Sequence, residues 1–336
     1  MIVNRFTIVI YQIFFTAVVA IPIILGILTK GTRYFAQKKR EKPKCLEGWD
    51  SRFIQLKNIR LHYVQTGSDD KPLMLFVHGY PEFWYSWRFQ LKEFQHDYRC
   101  VAIDQRGFNL SDKPPRIEDY NVRELTNDVK NFIEALGYKS AIIVGHDWGG
   151  AIAWLFAEYY PEMVEKLIFL NITRPATLVN HFRNSYEQFK KSWYFFFYQT
   201  PKLPEILSNA EDMKLLEFFF RSKEMGIRNQ ENFTDEDLEA WKYAYSNNGA
   251  SFEYPINYYR NMFDSTSLYG EEDILNMPVL VIWGTDDAAL GKELAGLSLK
   301  KLTNGRAEYV PGASHWVQQD APEVVNKLMR EFLAQQ

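Results

Sequence analysis

The sequence predicts an α/β protein with a mostly parallel sheet, a helical insertion and one N-terminal transmembrane helix. Apolar runs that lack alternation and are bounded by turn residues are typical of strands buried on both faces. Helical patterns separate these runs, which favours parallel strands covered on both sides. The stretch from residue 6 to residue 29 carries no charge, and as a helix it is long enough to cross a bilayer.

Composition limits the classes of function. A chain of 336 residues that is 46% hydrophobic is long enough for one large domain with an insertion. The formal net charge of -3 gives no electrostatic support for a nucleic-acid partner. Two cysteines, Cys45 and Cys100, are too few for a disulfide framework, and the histidines show no metal-ligand spacing. We therefore expect no metal, no cofactor and no nucleic acid.

The apolar N-terminal stretch fits a membrane anchor better than a secretory signal or a buried core helix. A secretory signal has an apolar region of about 7–15 residues and a small-residue cleavage site. The run from Ile8 to Leu28 is longer and lacks a clean site. A buried core helix would be shorter or amphipathic, and Pro22 is compatible with a span because membrane helices tolerate proline. We predict an anchor over residues 6–29.

A basic segment follows the predicted anchor. Seven lysine or arginine residues lie between positions 30 and 44, whereas only Arg5 precedes the apolar run. For a single-pass protein, the positive-inside rule then places the catalytic part on the cytosolic side. The endoplasmic reticulum is the expected membrane. Glycosylation-type triplets begin at Asn109, Asn171 and Asn232. Two of them adjoin predicted strand ends, so we interpret them as chance matches. Residues 30–50 are predicted to form a basic tether.

The rest of the chain divides into a core and an insertion. Six apolar runs precede the insertion and two follow it: Phe53–Leu56, Arg60–Gln65, Leu73–Val77, Arg99–Ile103, Ala141–Val144, Leu167–Leu170, Val279–Trp283 and Ala307–Val310. Residues 176–265 are rich in aromatic side chains at helical spacing and show no strand pattern, which predicts a helical cap. The core is then predicted to consist of residues 51–175 and 266–336.

The segment after the fifth apolar run predicts a nucleophile. Gly145-His-Asp147-Trp-Gly149 fits the pattern Gly-x-nucleophile-x-Gly between a strand and a helix. The alternative is an ordinary turn in which Asp147 caps the helix. A carboxylate is ionised at neutral pH and needs no general base to attack. Asp147 suits displacement at a saturated carbon, which gives an alkyl ester, and its presence argues against a serine esterase.

Hydrolysis of such an ester requires an activated water. In this strand–turn–helix arrangement an acid and then a histidine follow the nucleophile along the chain. His315 follows the last predicted strand, and the adjacent Asp286 and Asp287 follow the preceding one, so both remain candidates for the acid. The backbone N–H groups of Tyr80 and Trp148 are candidates for an oxyanion hole, because both follow strands that end at the same sheet edge.

Four motifs in this order resemble the α/β-hydrolase epoxide hydrolases, above all their membrane-anchored animal members. They are His78-Gly-Tyr-Pro-Glu-Phe-Trp-Tyr-Ser-Trp-Arg88, Asp104-Gln-Arg-Gly107, Gly145-His-Asp-Trp-Gly-Gly150 and Gly312-Ala-Ser-His-Trp316. The resemblance extends from about Trp49 to Gln336. It implies that Asp147 is the nucleophile, that His315 activates water and that Asp287 orients His315. Asp287 is preferred to Asp286 because the family acid lies three residues after the glycine that matches Gly284.

The same resemblance implies two tyrosines in the cap. Members of this family protonate the opened epoxide oxygen with two phenols, and a phenol with a pKa near 10 is still protonated at neutral pH. Tyr259 occupies the matching place in Asn257-Tyr-Tyr-Arg-Asn-Met262. The other tyrosine falls within Trp193–Pro201, where Tyr194 matches better than Tyr198.

We therefore expect an epoxide hydrolase that forms vicinal diols without a cofactor. The anchor and the aromatic cap suggest a lipophilic substrate such as an epoxidised fatty acid. Two alternatives remain. Haloalkane dehalogenases share the aspartate elbow and the tryptophan after it, but they stabilise a halide with N–H donors instead of protonating an alkoxide. A catalytically inactive membrane-anchored binding protein would be expected to have lost part of the intact residue set.

Overall fold

In the computed structural model, which describes residues 5–246, 251–263 and 274–335, eight strands form one sheet in the order β1-β2-β4-β3-β5-β6-β7-β8. The strands are β1 Asp50–Gln55, β2 Arg60–Thr66, β3 Leu73–Val77, β4 Arg99–Ile103, β5 Ala141–His146, β6 Val164–Leu170, β7 Val279–Gly284 and β8 Gly305–Val310. Pairing is antiparallel between β1 and β2 and between β2 and β4, and parallel elsewhere. The predicted mostly parallel sheet is confirmed, and each predicted run overlaps one strand.

Helices surround the sheet and fill the insertion between β6 and β7. Their bounds are α1 Arg5–Lys30, α2 Arg88–Phe94, α3 Val122–Ala135, α4 Trp148–Tyr159, α5 Pro175–Asn184, α6 Tyr186–Lys191, α7 Trp193–Phe197, α8 Leu203–Arg221, α9 Asp235–Ser246, α10 Ile256–Asn261, α11 Glu293–Leu299, α12 Val317–Asp320 and α13 Pro322–Leu333. All residues of β3, β4, β5 and β7 are buried. Burial on both faces explains why these strands read as continuous apolar runs.

Helices α5 to α10 lie over the carboxyl ends of the parallel strands. The indole of Trp241 donates to the Pro81 carbonyl at 3.0 Å, and the Tyr258 hydroxyl donates to the Arg106 carbonyl at 3.0 Å. These contacts join the insertion to the loops that follow β3 and β4. The predicted boundary of the insertion between residues 265 and 266 lies outside the described residues.

Helix α1 is long and apolar enough to cross a membrane. One of its faces nevertheless contacts the insertion: the Gln12 side chain donates to the Gln199 carbonyl at 3.1 Å, and the hydroxyls of Thr16 and Thr200 are 2.5 Å apart. The segment after it, predicted as a tether, also contacts the insertion through Arg40. The Arg40 guanidinium pairs with Asp212 at 2.6 Å and with Glu239 at 2.9 Å.

The turn between β5 and α4 requires glycine at residue 149. A Cβ atom there would lie 2.1 Å from the Val77 carbonyl oxygen, which belongs to the backbone of β3. We expect Gly149→Ala to destabilise the fold by at least about 2 kcal/mol, because strand and helix must separate. Gly296→Ala is the control, since a Cβ atom there would lie 3.9 Å from the Tyr309 hydroxyl, an ordinary contact, and alanine favours the helix by up to about 1 kcal/mol. Thermal unfolding of both variants in detergent checks this, and equal midpoints would contradict it.

Candidate active site

Asp147 lies at the sharp bend between β5 and α4. Its backbone has φ 50° and ψ −124°, a conformation that side-chain-bearing residues rarely adopt. The bend brings the chain so close to itself that a Cβ atom at Gly145 would lie 2.6 Å from the Gly150 Cα. The Asp147 side chain makes no hydrogen bond to the first turn of α4, so it is not a helix cap. Its Oδ1 instead accepts from the Tyr80 backbone N–H at 2.9 Å.

His315 connects Asp147 to Asp287. The His315 Nε2 is 3.6 Å from the Asp147 Oδ2, and the His315 Nδ1 is 2.7 Å from the Asp287 Oδ2. All three residues are buried, whereas Asp286 is exposed. The structure therefore places Asp287, and not Asp286, against the imidazole, and it brings together residues that are distant in sequence.

Asp287 is held by more than its histidine. Its Oδ2 accepts from the Asn171 amide at 2.7 Å, and its Oδ1 accepts from the backbone N–H groups of Ala289 and Leu290 at 2.7 and 2.8 Å. Asn171 follows β6 with φ 46° and is fully buried. The sequence analysis missed this role, because Asn171 attracted notice only as part of a glycosylation-type triplet. Its position after a strand that ends at the same edge was the available signal.

The charges of these groups depend on one another. Burial by itself favours the neutral form of each. The hydrogen bond and positive charge of His315 nevertheless lower the pKa of Asp147, and the same histidine lowers the pKa of Asp287. Against the cost of burial, the charge of Asp287, together with the hydrogen bond and charge of Asp147, raises the pKa of His315 to about 10. These shifts together favour an imidazolium between two carboxylates as the resting charge state.

A second buried pair supports the position of His315. The His146 Nδ1 is 2.7 Å from the Glu82 Oε2, and its Nε2 donates to the His315 carbonyl at 2.9 Å. The other Glu82 oxygen accepts from the amides of Gln318 and Gln319 at 3.0 and 3.1 Å. Sequence reasoning did not single out Glu82 or His146, although both lie within the quoted motifs. The pair fixes the backbone that carries the imidazole.

Tyr259, Tyr194 and Tyr198 line a cavity of about 390 Å³ together with Asp147 and His315. Burial and then the charge of Asp147 raise the pKa of Tyr259 well above its ordinary value. The Tyr259 ring also packs edge-on against the Trp148 indole, with centroids 5.2 Å apart. These phenols are thus protonated at neutral pH and share a cavity with the carboxylate.

Tyr194 and Tyr198 differ in their surroundings. Burial followed by the charges of Asp147 and Asp287 raises the pKa of Tyr194, whereas burial followed by Tyr80 raises the pKa of Tyr198. Tyr194 also lines a small adjoining cavity with Asp147, and Tyr198 does not. The Tyr198 ring instead lies between those of Tyr259 and Tyr80, at 4.6 and 5.6 Å. The electrostatic neighbourhood of the carboxylate thus includes Tyr194.

The site and fold are those of an α/β hydrolase with an aspartate at the elbow. The sequence matches the α/β-hydrolase-fold family over residues 72–322. It is 62% identical to Epoxide hydrolase 1 of Caenorhabditis elegans over 311 residues, an alignment that covers 93% of this chain and 77% of that protein. It is 42% identical to Epoxide hydrolase 4 of Homo sapiens over 288 residues, which are 84% of this chain and 79% of that protein.

A solved structure agrees with these relatives. The epoxide hydrolase of Bacillus megaterium in complex with an inhibitor is 33% identical, with a TM-score of 0.76 over 84% of this chain and 100% of that one. The chain therefore belongs to the epoxide hydrolases of the α/β-hydrolase fold. This family membership confirms the resemblance that the motifs indicated.

The raised pKa of His315 predicts a pH dependence of stability. Because the pKa is higher in the folded state than the ordinary value of 6.5, the stabilisation is complete below about pH 6.5 and is lost as the pH rises through about 10. We expect the unfolding midpoint of the wild type to fall between pH 7 and pH 10 by more than that of His315→Gln. Thermal unfolding of both proteins at pH 7, 8.5 and 10 measures this difference. Parallel pH profiles would rule the proposed charge state out.

Proposed function

We propose that this epoxide hydrolase converts epoxides to vicinal diols through an ester on Asp147. The observation that carries the proposal is a buried carboxylate that lines one cavity with phenols of the cap and lies 3.6 Å from His315. A carboxylate supplies the nucleophile for a strained ring, and phenols supply the proton that the departing oxygen needs. The histidine and Asp287 supply the base for the second half of the cycle. Residues 176–265 act as the cap and residues 51–175 and 266–336 as the core.

In the first step, the Asp147 Oδ2 attacks an epoxide carbon while the ring C–O bond breaks. Tyr259 and Tyr194 donate hydrogen bonds to the ring oxygen, and one of them transfers its proton to the alkoxide. The product is an alkyl ester that carries a neighbouring hydroxyl. The Asp147 Oδ1 becomes the ester carbonyl oxygen, which the Tyr80 N–H already contacts at 2.9 Å.

Ester formation prepares the second step. It removes the negative charge of Asp147, which helps to hold the proton on His315, so the imidazolium can return a proton to the phenolate. The neutral imidazole, oriented by Asp287, then takes a proton from a water molecule that attacks the ester carbonyl carbon. The N–H groups of Tyr80 and Trp148 stabilise the oxyanion. The bond between the Asp147 Cγ and Oδ2 then breaks, and the new carboxyl group gives its proton to the departing alkoxide, which releases the diol and restores the resting site.

A lipophilic epoxide fits the cavity. Its distal wall consists of apolar and aromatic side chains, among them Leu207, Leu215, Phe218, Phe219 and Met225. Such a wall favours a long hydrocarbon substrate, such as an epoxidised fatty acid, over a small polar one. We infer that α1 attaches the enzyme to a membrane, in our proposal that of the endoplasmic reticulum, and that the charge asymmetry places the catalytic domain in the cytosol. Residues 30–50 are the basic segment that joins the two.

The two-step scheme predicts that His315→Gln traps the ester. We expect turnover to fall by at least about 10³-fold while alkylation continues, because only the water-activating base is lost. Intact-protein mass spectrometry after incubation with a lipophilic epoxide should show one adduct with the mass of the epoxide, located on the peptide that contains Asp147. Asp147→Ala is the control without an adduct. An unmodified His315→Gln protein beside an active wild type would refute the scheme.

The cap phenols are predicted to act in the first step. Tyr259→Phe and Tyr194→Phe should each lower the alkylation rate by about ten- to a hundredfold, since either loses one donor to the ring oxygen. Tyr198→Phe is the matched control and should have a much smaller effect. Stopped-flow tryptophan fluorescence measures alkylation separately from hydrolysis. A larger defect in Tyr198→Phe than in Tyr194→Phe would reassign the second donor.

Chloroalkanes matched in size to the epoxide substrate distinguish epoxide hydrolysis from dehalogenation. Phenol donors serve an alkoxide, so we expect diol formation from the epoxide and no halide release from the chloroalkane. Halide release without diol formation would make the protein a dehalogenase instead.

A further inference from the structure

We propose that α1 lies flat along the membrane surface, docked on the cap, and that its outer face and the mouth of the cavity together form one lipid-facing surface. The single-pass arrangement predicted from the sequence would instead hold α1 across the bilayer. The two arrangements place the N-terminus on different sides of the membrane. The proposal concerns the partner of this surface, an anionic phospholipid bilayer, and it does not depend on catalysis.

The inner face of α1 is built to contact protein. The Tyr11 ring packs against the rings of Phe189 and Phe196, with centroids 4.8 and 5.1 Å apart. Farther along, Ile23 is buried in a cluster with Tyr34 and Ala210. Contacts thus recur at helical spacing along one stripe of the helix.

Polar groups on the same face are satisfied by the cap. Gln12 and Thr16 form the hydrogen bonds to Gln199 and Thr200, and the Gln199 side chain in turn donates to the Tyr259 carbonyl at 2.7 Å. In a bilayer an unsatisfied amide would cost several kcal/mol. The docked position therefore satisfies the polar groups of an otherwise apolar helix.

The docked stretch is as long as a membrane span. Contacts with the cap extend from Tyr11 to Lys30, whose ammonium pairs with Glu211. Nineteen helical steps cover about 28 Å, close to the roughly 30 Å of a bilayer's hydrocarbon core. A helix docked over that length cannot also cross the hydrocarbon core while the cap stays in water. If α1 crossed the bilayer, the side chains in the middle of the hydrocarbon core would be the same ones that contact the cap.

The outer face of α1 is apolar and exposed. It presents Phe6, Ile10, Ile13, Phe14, Ile21, Ile24, Leu25 and Leu28, each at least 47% exposed. This surface continues onto the cap, where Trp193 and Phe218 are 37% and 43% exposed. An exposed apolar surface of this kind marks an interaction site, and lipid acyl chains can cover it while the cap covers the opposite face of the helix.

Exposed basic residues follow the helix. Arg33, Lys38, Lys39, Lys42 and Lys44 are all exposed and lie within a segment that has Glu41 as its acidic residue. Basic side chains beside an inserted apolar face complement anionic lipid headgroups, at about 1 kcal/mol each. This charge complementarity favours a bilayer over a second protein as the occupant of the surface.

The cavity reaches this surface. Trp193 lines the cavity and packs against Phe15 of α1, with ring centroids 6.1 Å apart. Leu207 also lines the cavity and belongs to the cluster around Ile23. A single layer of side chains thus separates α1 from the cavity at two points. If the proposed function holds, an epoxide dissolved in a bilayer against α1 therefore lies close to the cavity that contains Asp147.

Topology in sealed microsomes tests the arrangement with the full chain. Short epitope tags are added at both ends, and protease is applied with and without detergent. A flat helix leaves both tags on the same side, so that protease removes both or neither in intact vesicles. Tags on opposite sides would overturn the proposal. The control is Gln12→Leu with Thr16→Leu, which loses the polar contacts to the cap and is expected to shift tags to opposite sides in part of the population.

Depth measurement gives a second, independent readout. Nitroxide labels are placed on the outer face by Ile21→Cys or by Leu28→Cys in a Cys45→Ser background, with Cys100 buried. The two sites are seven residues, or about 10 Å, apart along the helix and lie on the same face. Equal depths in vesicles containing anionic phospholipid support the flat helix, and a difference near 10 Å overturns it. Neither readout uses activity, so failure of diol formation would reject the proposed function and leave this inference standing.

Discussion

The ion pairs between His315 and its two carboxylates are the interaction on which the rest of this site depends. Three charged groups are buried together, and each keeps its charge because the others do. Such an arrangement is stable only when every remaining lone pair is satisfied. The N–H of Tyr80, the amide of Asn171 and two N–H groups after Asp287 meet that requirement. They all come from loops at one edge of the parallel sheet.

In the proposed mechanism, the same coupling of charges lets one site supply first a nucleophilic carboxylate and then a basic imidazole. The ionised Asp147 is ready to attack and helps to hold a proton on His315. Conversion of Asp147 to an ester would remove part of that stabilisation, so that His315 could act as a base. The cap completes the site by burying it and by presenting phenols that stay protonated. Glu82 and His146, behind the imidazole, hold its backbone while the charges change.

Local sequence signals predicted most of the fold. The buried strands were recognisable because both of their faces are covered, and the elbow because glycine is required where β5 turns into α4. The sequence pattern of strand β1 was weaker, since β1 lies at the sheet edge beside β2 and is largely exposed. Residues that support a catalytic candidate through a hydrogen bond were not predicted. Asn171, Glu82 and His146 are polar residues within ordinary motifs, and their importance arises only from what they contact.

The sequence by itself determined which stretches of the chain form strands, the position of Asp147 at a tight turn and the presence of a histidine after the last strand. These are matters of residue type and of spacing along one stretch of chain. The tertiary structure decided that Asp287 and not Asp286 meets His315, that Tyr194 lies in the field of Asp147, and that α1 rests on the cap. Each of these is a distance between residues far apart in the chain, and such distances are set by packing.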